Sequence, residues 1–242
     1  MKVMAFKRIS VLAQNGLPDS TSYIAPGDWC DIGEKAVNGL YPVTYPTRKG
    51  KKVRWVRTLT GFLCNQNEYG GLTYPAKGYE TATIKSGGCG VCAAVNAVGA
   101  LTGKCVPVRA MRDLAVAGGA RVSGGTNMPQ MVTLICRDYG LKSKQTSSVF
   151  DLQQHLKSGG VAICNTAGNG MFSTGGHYVL ALGELNGKIC IADSGMYTGK
   201  YSSAKRRAAV SVSGDLIFAS AATLDADCKG RWPRYYLLSK GG

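Results

Sequence analysis

The hydrophobic pattern of this chain changes near Ser86, and that change constrains the fold more than any other feature of the sequence. Up to about residue 66, short segments of alternating polar and apolar residues are separated by glycine and proline, a pattern typical of a small β-barrel. After Ser86 come segments with helical periodicity, followed by segments with the pattern of strands. Helices followed by antiparallel strands predict an α+β domain.

The elements of this second part can be assigned individually. Asn127 and Ser148 precede helical segments and have the side chains of N-caps. The predicted helices cover 91–101, 107–117, 128–139 and 149–156. The predicted strands cover 161–166, 177–185, 188–193, 215–219 and 234–239. The sequence therefore predicts a small all-β barrel over 1–66, a linker over 67–79, and an α+β domain over 80–242.

Composition and charge restrict the partners. Of 242 residues, 45% are apolar, which is enough for a buried core, and 29 basic against 14 acidic side chains give a net charge of +15. Such a charge favours a polyanionic partner, namely nucleic acid, an anionic membrane or a phosphate-bearing wall polymer, although solubility alone also explains it. No apolar run approaches the roughly 20 residues of a membrane span, so none is expected. Residues 1–10 lack the apolar stretch of a secretory signal, which predicts synthesis in a cytoplasm.

Histidine and cysteine usage limits the chemistry further. With two histidines, a site built on several imidazoles is excluded, and a catalytic histidine must be His155 or His177. His155 lies on a predicted surface helix, which favours His177. The nine scattered cysteines do not have the dense, even spacing of a disulfide scaffold, so we expect most of them to be reduced and buried. No metal or cofactor is implied.

Three short segments combine into a candidate catalytic site. Cys89 follows two glycines at the start of a predicted helix, where the helix dipole favours the thiolate. His177 begins a strand, where it can act as general base and acid, and Asp193 ends the next strand, where it can fix the tautomer of the imidazole. Backbone amides at the helix start can bind a developing oxyanion.

The hairpin between the two strands decides whether His177 and Asp193 meet. A two-residue turn at Asn186–Gly187 would pair Leu185 with Lys188 and put Asp193 on the opposite face from His177. A three-residue loop over 185–187 would place Asp193 opposite Val179 and on the face of His177. We therefore predict the three-residue loop.

Other interpretations of the same residues stay open. Cys89 and Cys92 form a C-x-x-C pair, which also occurs in redox sites and as half of a zinc site. Cys92 is an alternative nucleophile, although helix packing also explains it. The clusters 48–57 and 205–207 are basic enough to contact nucleic acid, but no recognised nucleic-acid module accompanies them, so no nucleic-acid partner is expected.

Three segments resemble, in their order and spacing, the papain-fold cysteine peptidases that are related to bacteriocin-processing peptidases. The segments are Gly88-Cys89-Gly-Val-Cys92-Ala, Gly-Gly-His177-Tyr-Val-Leu and Ile-Ala-Asp193. Many of these peptidases occur in bacteriophage endolysins. The resemblance spans about residues 80–240 and implies that Cys89 is the nucleophile, His177 the general base and Asp193 the residue that orients it. Such peptidases often carry an oxyanion glutamine six residues before the cysteine. Thr83 stands there instead, so Thr83, the Ser86 hydroxyl or backbone amides would have to serve.

The N-terminal part resembles a bacterial Src-homology-type barrel that binds cell walls. This second resemblance covers about residues 3–66. It rests on two strand patterns, around Tyr41, Tyr45 and Trp55, that are joined by a basic turn.

Together the two resemblances imply a phage or prophage endolysin that cuts an amide or peptide bond of peptidoglycan. It would be made in the host cytoplasm and would act at the wall, held by anionic wall polymers. The alternatives are a leader-processing cysteine peptidase and a non-catalytic polyanion-binding protein.

Overall fold

A computed structural model describes residues 2–5, 8–33, 38–59, 61–185 and 187–241 of the chain. These residues form a mixed α+β structure with a small N-terminal antiparallel sheet and a larger antiparallel sheet packed with helices. The predicted α+β class is confirmed at this level. Within the described residues, no helix combines the length and the apolar character needed to cross a membrane.

The small sheet has six strands in the order β1-β4-β5-β6-β2-β3. The strands are β1 (Lys2–Met4), β2 (Ile9–Leu12), β3 (Pro18–Ile24), β4 (Trp29–Ile32), β5 (Tyr41–Thr47) and β6 (Gly50–Val56). Cys30 and Ile32 of β4 are buried, whereas Trp29 and Asp31, which alternate with them, are partly exposed. This alternation is that of a sheet with one face on a core.

The larger sheet has seven antiparallel strands in the order β13-β14-β12-β11-β10-β15-β9. These are β9 (Leu141–Thr146), β10 (Val161–Thr166), β11 (His177–Leu185), β12 (Lys188–Ala192), β13 (Val210–Ser213), β14 (Leu216–Ala219) and β15 (Tyr235–Lys240). The short hairpin of β7 (Arg121–Val122) and β8 (Gly125–Thr126) lies outside it. The helices are α1 (Ile84–Gly87), α2 (Cys89–Thr102), α3 (Val108–Ala117), α4 (Met128–Tyr139), α5 (Val149–Lys157), α6 (Ala204–Ala209) and α7 (Ala221–Cys228).

Two of the predicted helix starts are confirmed in detail. The Asn127 side chain accepts the N–H of Gln130, and the Ser148 side chain accepts the N–H of Asp151. Each therefore satisfies a backbone donor that has no acceptor within its helix.

Helix α2 is the centre of the fold. Its residues from Gly90 to Gly99 are buried, and it packs on β11 and also against the small sheet. A Cβ added at Gly99 would lie 3.1 Å from the Trp29 ring, so a glycine at this position lets the two parts pack closely. One continuous apolar core runs from the small sheet through α2 to the large sheet.

The segment between the two sheets also packs into this core. It begins with a 3-10 helix at Gln66–Tyr69, and the side chains of Leu72 and Tyr74 are buried. The Tyr74 hydroxyl lies 3.1 Å from the Thr126 hydroxyl on β8. The backbone N–H of Gln66 donates to the carbonyl of Ser194, just beyond β12. This segment therefore connects β8 with the end of β12.

The hairpin between β11 and β12 reaches the predicted register by a different route. Leu185 pairs with Lys188, so the predicted three-residue loop is wrong, and Asn186 itself lies outside the described residues. A β-bulge between Ala181 and Gly183 then shifts the register, so that Leu180 pairs with Ala192. Continued by one residue, this register sets Asp193 opposite Val179, as predicted. The extra residue of the bulge therefore brings Asp193 onto the same face of the sheet as His177, an effect that was predicted for the longer loop.

Candidate active site

Cys89 is the first residue of α2, two residues earlier than the predicted helix start. The glycines on either side of it leave no room for side chains. A Cβ at Gly88 would lie 2.6 Å from the Ile84 carbonyl oxygen, and one at Gly90 would lie 2.7 Å from Cβ of Thr126. The close packing of α1 and β8 around these glycines holds the Cys89 thiol, which is partly exposed, at the positive end of the helix dipole.

His177 and Asp193 come from neighbouring strands of the large sheet. His177 is the first residue of β11, and Asp193 directly follows β12. The imidazole Nε2 of His177 lies 2.8 Å from Oδ1 of Asp193, and both side chains are buried. The His177 imidazole and the Cys89 thiol also shift each other's pKa, through a side-chain hydrogen bond and through charge. The three residues chosen from the sequence therefore interact in the order Cys89, His177, Asp193.

Asp193 is held by three further donors, two of which come from side chains that the sequence analysis did not identify. The Gly195 N–H donates to Oδ1 at 2.8 Å. Lys200 Nζ and the Tyr201 hydroxyl each donate to Oδ2 at 2.6 Å. All follow Asp193 within eight residues in a segment of turns, which has no hydrophobic periodicity that could have marked them.

The electrostatics of the site favour a charged thiolate and imidazolium. Burial acts to raise the pKa of the Cys89 thiol, but the hydrogen bond from His177 and its charge outweigh burial and lower the pKa. Burial acts to lower the pKa of His177, but the hydrogen bonds to Asp193 and Cys89 raise it to about 9. Burial likewise opposes ionisation of Asp193, yet His177 and Lys200 keep its pKa well below the usual range. The thiol and the imidazole thus stabilise each other's charged forms.

Cys92 has a different environment on the same helix. Its side chain is fully buried and hydrogen-bonds Cys64, and this contact together with burial raises the pKa of the Cys92 thiol. A buried thiol held in its neutral form is a poor nucleophile.

All nine cysteines are free. In the part of the chain that the structure describes, no three His, Cys, Asp or Glu side chains form a group that could hold a metal ion.

His155 has a structural contact instead of a catalytic one. It lies on α5, is partly buried, and its Nε2 is 2.8 Å from the carbonyl oxygen of Leu238 on β15. Gly160 packs against its ring, where a Cβ would come within 2.1 Å of Nε2. The imidazole of His155 therefore joins α5 to the sheet.

The side chains proposed to replace the missing glutamine are not well suited to bind an oxyanion. Thr83 is the N-cap of α1, so the whole of that helix separates it from Cys89. The Ser86 hydroxyl donates to the Thr83 carbonyl at 3.1 Å and accepts the Thr83 N–H at 2.9 Å, so its hydrogen is already used. Backbone amides at the start of α2 are the remaining suggestion from the sequence.

Gln66 is a polar residue near the site that the sequence analysis missed. Its Nε2 donates to the carbonyl of Lys85 at 2.9 Å, and its Oε1 accepts from the Ser194 hydroxyl at 3.2 Å. The Lys85 carbonyl lies four residues before Cys89, so it is the acceptor that the Cys89 N–H would use if α1 and α2 were one continuous helix. The Gln66 amide therefore lies at the start of α2, with a second N–H still available. Gln66 lies 23 residues before Cys89 in the sequence, and no local pattern indicates this proximity.

An open cavity of about 690 Å³ adjoins the site on the Lys200 side. Tyr197, Lys200, Tyr201 and Arg207 are among its lining residues, but Cys89 and His177 are not. This cavity therefore lies on the side of Asp193 that Lys200 and Tyr201 occupy.

No protein-family model and no curated protein matches this chain. The function must therefore be inferred from the chemistry of the residues themselves.

Proposed function

We propose that the protein is a cysteine hydrolase of papain-like type that cleaves an amide or peptide bond of bacterial peptidoglycan. The observation that carries the proposal is the contact chain from Cys89 through His177 to Asp193, with a thiol of lowered pKa at a helix start. A nucleophile in contact with a base, and a base oriented by a carboxylate, is the arrangement required for covalent acyl transfer.

The proposed reaction has two steps. The Cys89 thiolate attacks the carbonyl carbon, and the protonated imidazole of His177 gives its proton to the leaving amine as the C–N bond breaks, which leaves a thioester. His177, now neutral, takes a proton from water, and the resulting hydroxide attacks the thioester to release the acid and restore the thiolate. Asp193 holds the imidazole in the tautomer that directs Nδ1 towards Cys89.

The oxyanion of each tetrahedral intermediate requires donors near Cys89. The Cys89 N–H is among the first N–H groups of α2, which have no acceptor within the helix. The free N–H of the Gln66 amide is the proposed second donor, because the Lys85 carbonyl holds this amide at the start of the same helix. Two donors directed at one oxygen are the usual composition of an oxyanion hole.

The small N-terminal sheet supports the wall as the proposed target. An open groove of about 860 Å³ runs between β3 and the β5–β6 turn, and Arg48, Lys49, Lys51 and Lys52 line it together with Tyr23. Three of these cations are exposed, so they can pair with the phosphates of an anionic wall polymer. This groove is the proposed binding surface of a barrel of the Src-homology type, in an enzyme that acts as a phage or prophage endolysin.

The test of catalysis is the loss of turbidity of purified Gram-positive cell walls. Wild-type protein and Cys92→Ala are expected to clear the walls, and Cys89→Ala is expected to be inactive while still folded and still bound to them. Mass spectrometry of the released fragments then identifies the new amine and carboxyl ends. Cleavage of a leader peptide with intact walls would favour the processing-peptidase alternative, and lysis by Cys89→Ala would contradict the proposal.

Wall attachment is tested separately with the inactive Cys89→Ala protein. Charge reversal at Lys49 and Lys51 is expected to weaken sedimentation with walls and to reduce its sensitivity to salt. The matched control is the double charge reversal Lys157→Glu, Lys229→Glu, which reverses two exposed lysines that do not line the groove. Equal weakening by the control would show that net charge, not the groove, holds the protein on the wall.

A further inference from the structure

Lys200 is a buried cation on the carboxylate that orients the proposed base. Only 7% of Lys200 is exposed, and its Nζ lies 2.6 Å from Asp193 Oδ2 and 3.1 Å from the Gly195 carbonyl oxygen. Arg206 holds the segment in place, because its guanidinium hydrogen-bonds the carbonyl oxygens of Lys200 and Gly170. Burying an ammonium is costly, so this contact has to be balanced by the carboxylate it meets.

The ammonium is also close to the imidazole. A Cβ added at Gly195 would lie 3.3 Å from His177 Cε1 and 3.3 Å from Lys200 Nζ, so these two atoms are at most twice that distance apart. When His177 is protonated, two positive charges therefore share the Asp193 carboxylate in a buried site. Because they repel each other, the ammonium opposes the protonation that the carboxylate favours.

We propose that Lys200 is a positioning residue of this site, whose charge partly neutralises Asp193 and limits how strongly that carboxylate stabilises the protonated imidazole of His177. The inference rests on the proposed function for its catalytic meaning, since His177 must give up its proton to the leaving amine. A carboxylate without the ammonium would hold that proton more tightly. Lys200 thus sets the pH at which the imidazole can act as both acid and base.

Other charged groups surround His177 but act differently. The Cys89 thiolate, at the start of α2, stabilises the imidazolium, as Asp193 does. The Arg206 guanidinium of α6 lies 5.6 Å from the centre of the Tyr201 ring, and Asp227 of α7 accepts the N–H groups of Met171 and Phe172. The Arg231 guanidinium lies against Gly176, where an added Cβ would be 2.6 Å from one of its nitrogens, and so meets the backbone beside His177. Lys200 is the cation that touches Asp193 itself.

The proposal is tested by measuring the pKa of His177 directly. The chain has only two histidines, so isotope-labelled imidazole gives two NMR titrations, and His155→Gln assigns them. Lys200→Met is expected to raise the pKa of His177 by on the order of one unit relative to wild type. The matched control Lys205→Met removes an exposed charge from α6 and is expected to leave the pKa unchanged.

Lys200→Gln separates charge from hydrogen bonding, since its amide can still donate to Asp193. We expect the same upward shift as with Lys200→Met, and a folded glutamine variant also covers the case in which the methionine variant does not fold. An unchanged or lowered pKa of His177 in the neutral variants would overturn the proposal. This titration requires no substrate, so its result is independent of whether Cys89→Ala abolishes wall lysis.

Discussion

His177 Nε2 lies 2.8 Å from Asp193 Oδ1, although a β-hairpin with a bulge separates the two residues in the chain. Asp193 is fully buried, and the ammonium of Lys200 shares it with the imidazole. The carboxylate therefore has two roles, one in orienting the imidazole and one in balancing a buried cation. Substitutions at Asp193 and Lys200 can separate these roles.

Asp193→Asn is expected to reduce wall hydrolysis about a hundredfold to ten-thousandfold, because the imidazolium loses its counter-charge. It is also expected to destabilise the fold by about 3–5 kcal/mol, since the Lys200 ammonium stays buried without a carboxylate. Urea unfolding measures this loss. The double variant Asp193→Asn, Lys200→Met is expected to recover part of the stability but none of the activity. A double variant less stable than Asp193→Asn would contradict the ion pair.

The pH dependence of hydrolysis is expected to be bell-shaped. The rising limb should lie below the ordinary thiol pKa of 9.0, because His177 lowers the pKa of Cys89. The falling limb should lie near pH 9, where the imidazole loses the proton it gives to the leaving amine. Initial rates of fragment release across the pH range measure both limbs. A falling limb near 6.5, the ordinary pKa of histidine, would contradict the contact with Asp193.

The same shift has a consequence for stability. Because the pKa of His177 is raised from 6.5 to about 9 on folding, its protonation contributes to the free energy of unfolding fully below pH 6.5. This contribution is lost as the pH rises through about 9. Urea unfolding of wild type and His177→Gln at pH 6 and at pH 10 is expected to show a difference that shrinks at the higher pH. A difference that grows with pH would contradict the assigned direction of the shift.

Gln66→Ala is expected to lower the rate of wall hydrolysis about a hundredfold to a thousandfold with little effect on wall binding, as expected for the loss of one oxyanion donor. Ser86→Ala is the matched control, because the Ser86 hydroxyl is engaged with the Thr83 backbone. Rates and sedimentation with walls are measured for both. Equal rates in the two variants would remove Gln66 from the proposed oxyanion hole.

Gly183→Ala is expected to destabilise the protein by about 1–3 kcal/mol, because the bulge holds Gly183 at a φ of 150°, where L side chains are strained. Gly124→Ala is the control, since nothing lies within 4 Å of an added Cβ there and its φ is unexceptional. The urea midpoints of the two variants test the difference. Similar midpoints would mean that the bulge does not require glycine.

Much of this site could be predicted from local sequence patterns. The residues next to Cys89, His177 and Asp193 indicate their chemistry. Glycines precede Cys89 and His177, and apolar strand segments carry His177 and Asp193. The helices capped by Asn127 and Ser148 were also predicted, because a cap is a local signal. The residues around Asp193 could not be predicted, since Lys200 and Tyr201 reach it from a turn with no periodic pattern.

There are also physical reasons why some helices and strands were not predicted from the sequence. Strand β9 is polar and exposed over most of its length, so its sequence lacks the apolar alternation that marks a strand, and its pairing with β15 supplies the hydrogen bonds. Helix α6 has no buried residue that could give a helical stripe. The hairpin loop was predicted wrongly because a bulge depends on the packing of the whole sheet and leaves a local trace only in Gly183. Gln66 lies near the start of α2 only in the folded chain, because the two are far apart in the sequence.

The reactivity of the Cys89 thiol tests the central claim most directly. Iodoacetamide labelling near pH 6.5, followed by peptide mapping, gives the alkylation rate of each of the nine free cysteines, with exposed Cys105 as the internal reference. Cys89 is expected to react faster than Cys105, and His177→Ala is expected to slow Cys89 about tenfold or more while leaving Cys105 unchanged. A Cys89 that reacts no faster than Cys105, or that is unaffected by His177→Ala, would contradict a nucleophile activated by His177.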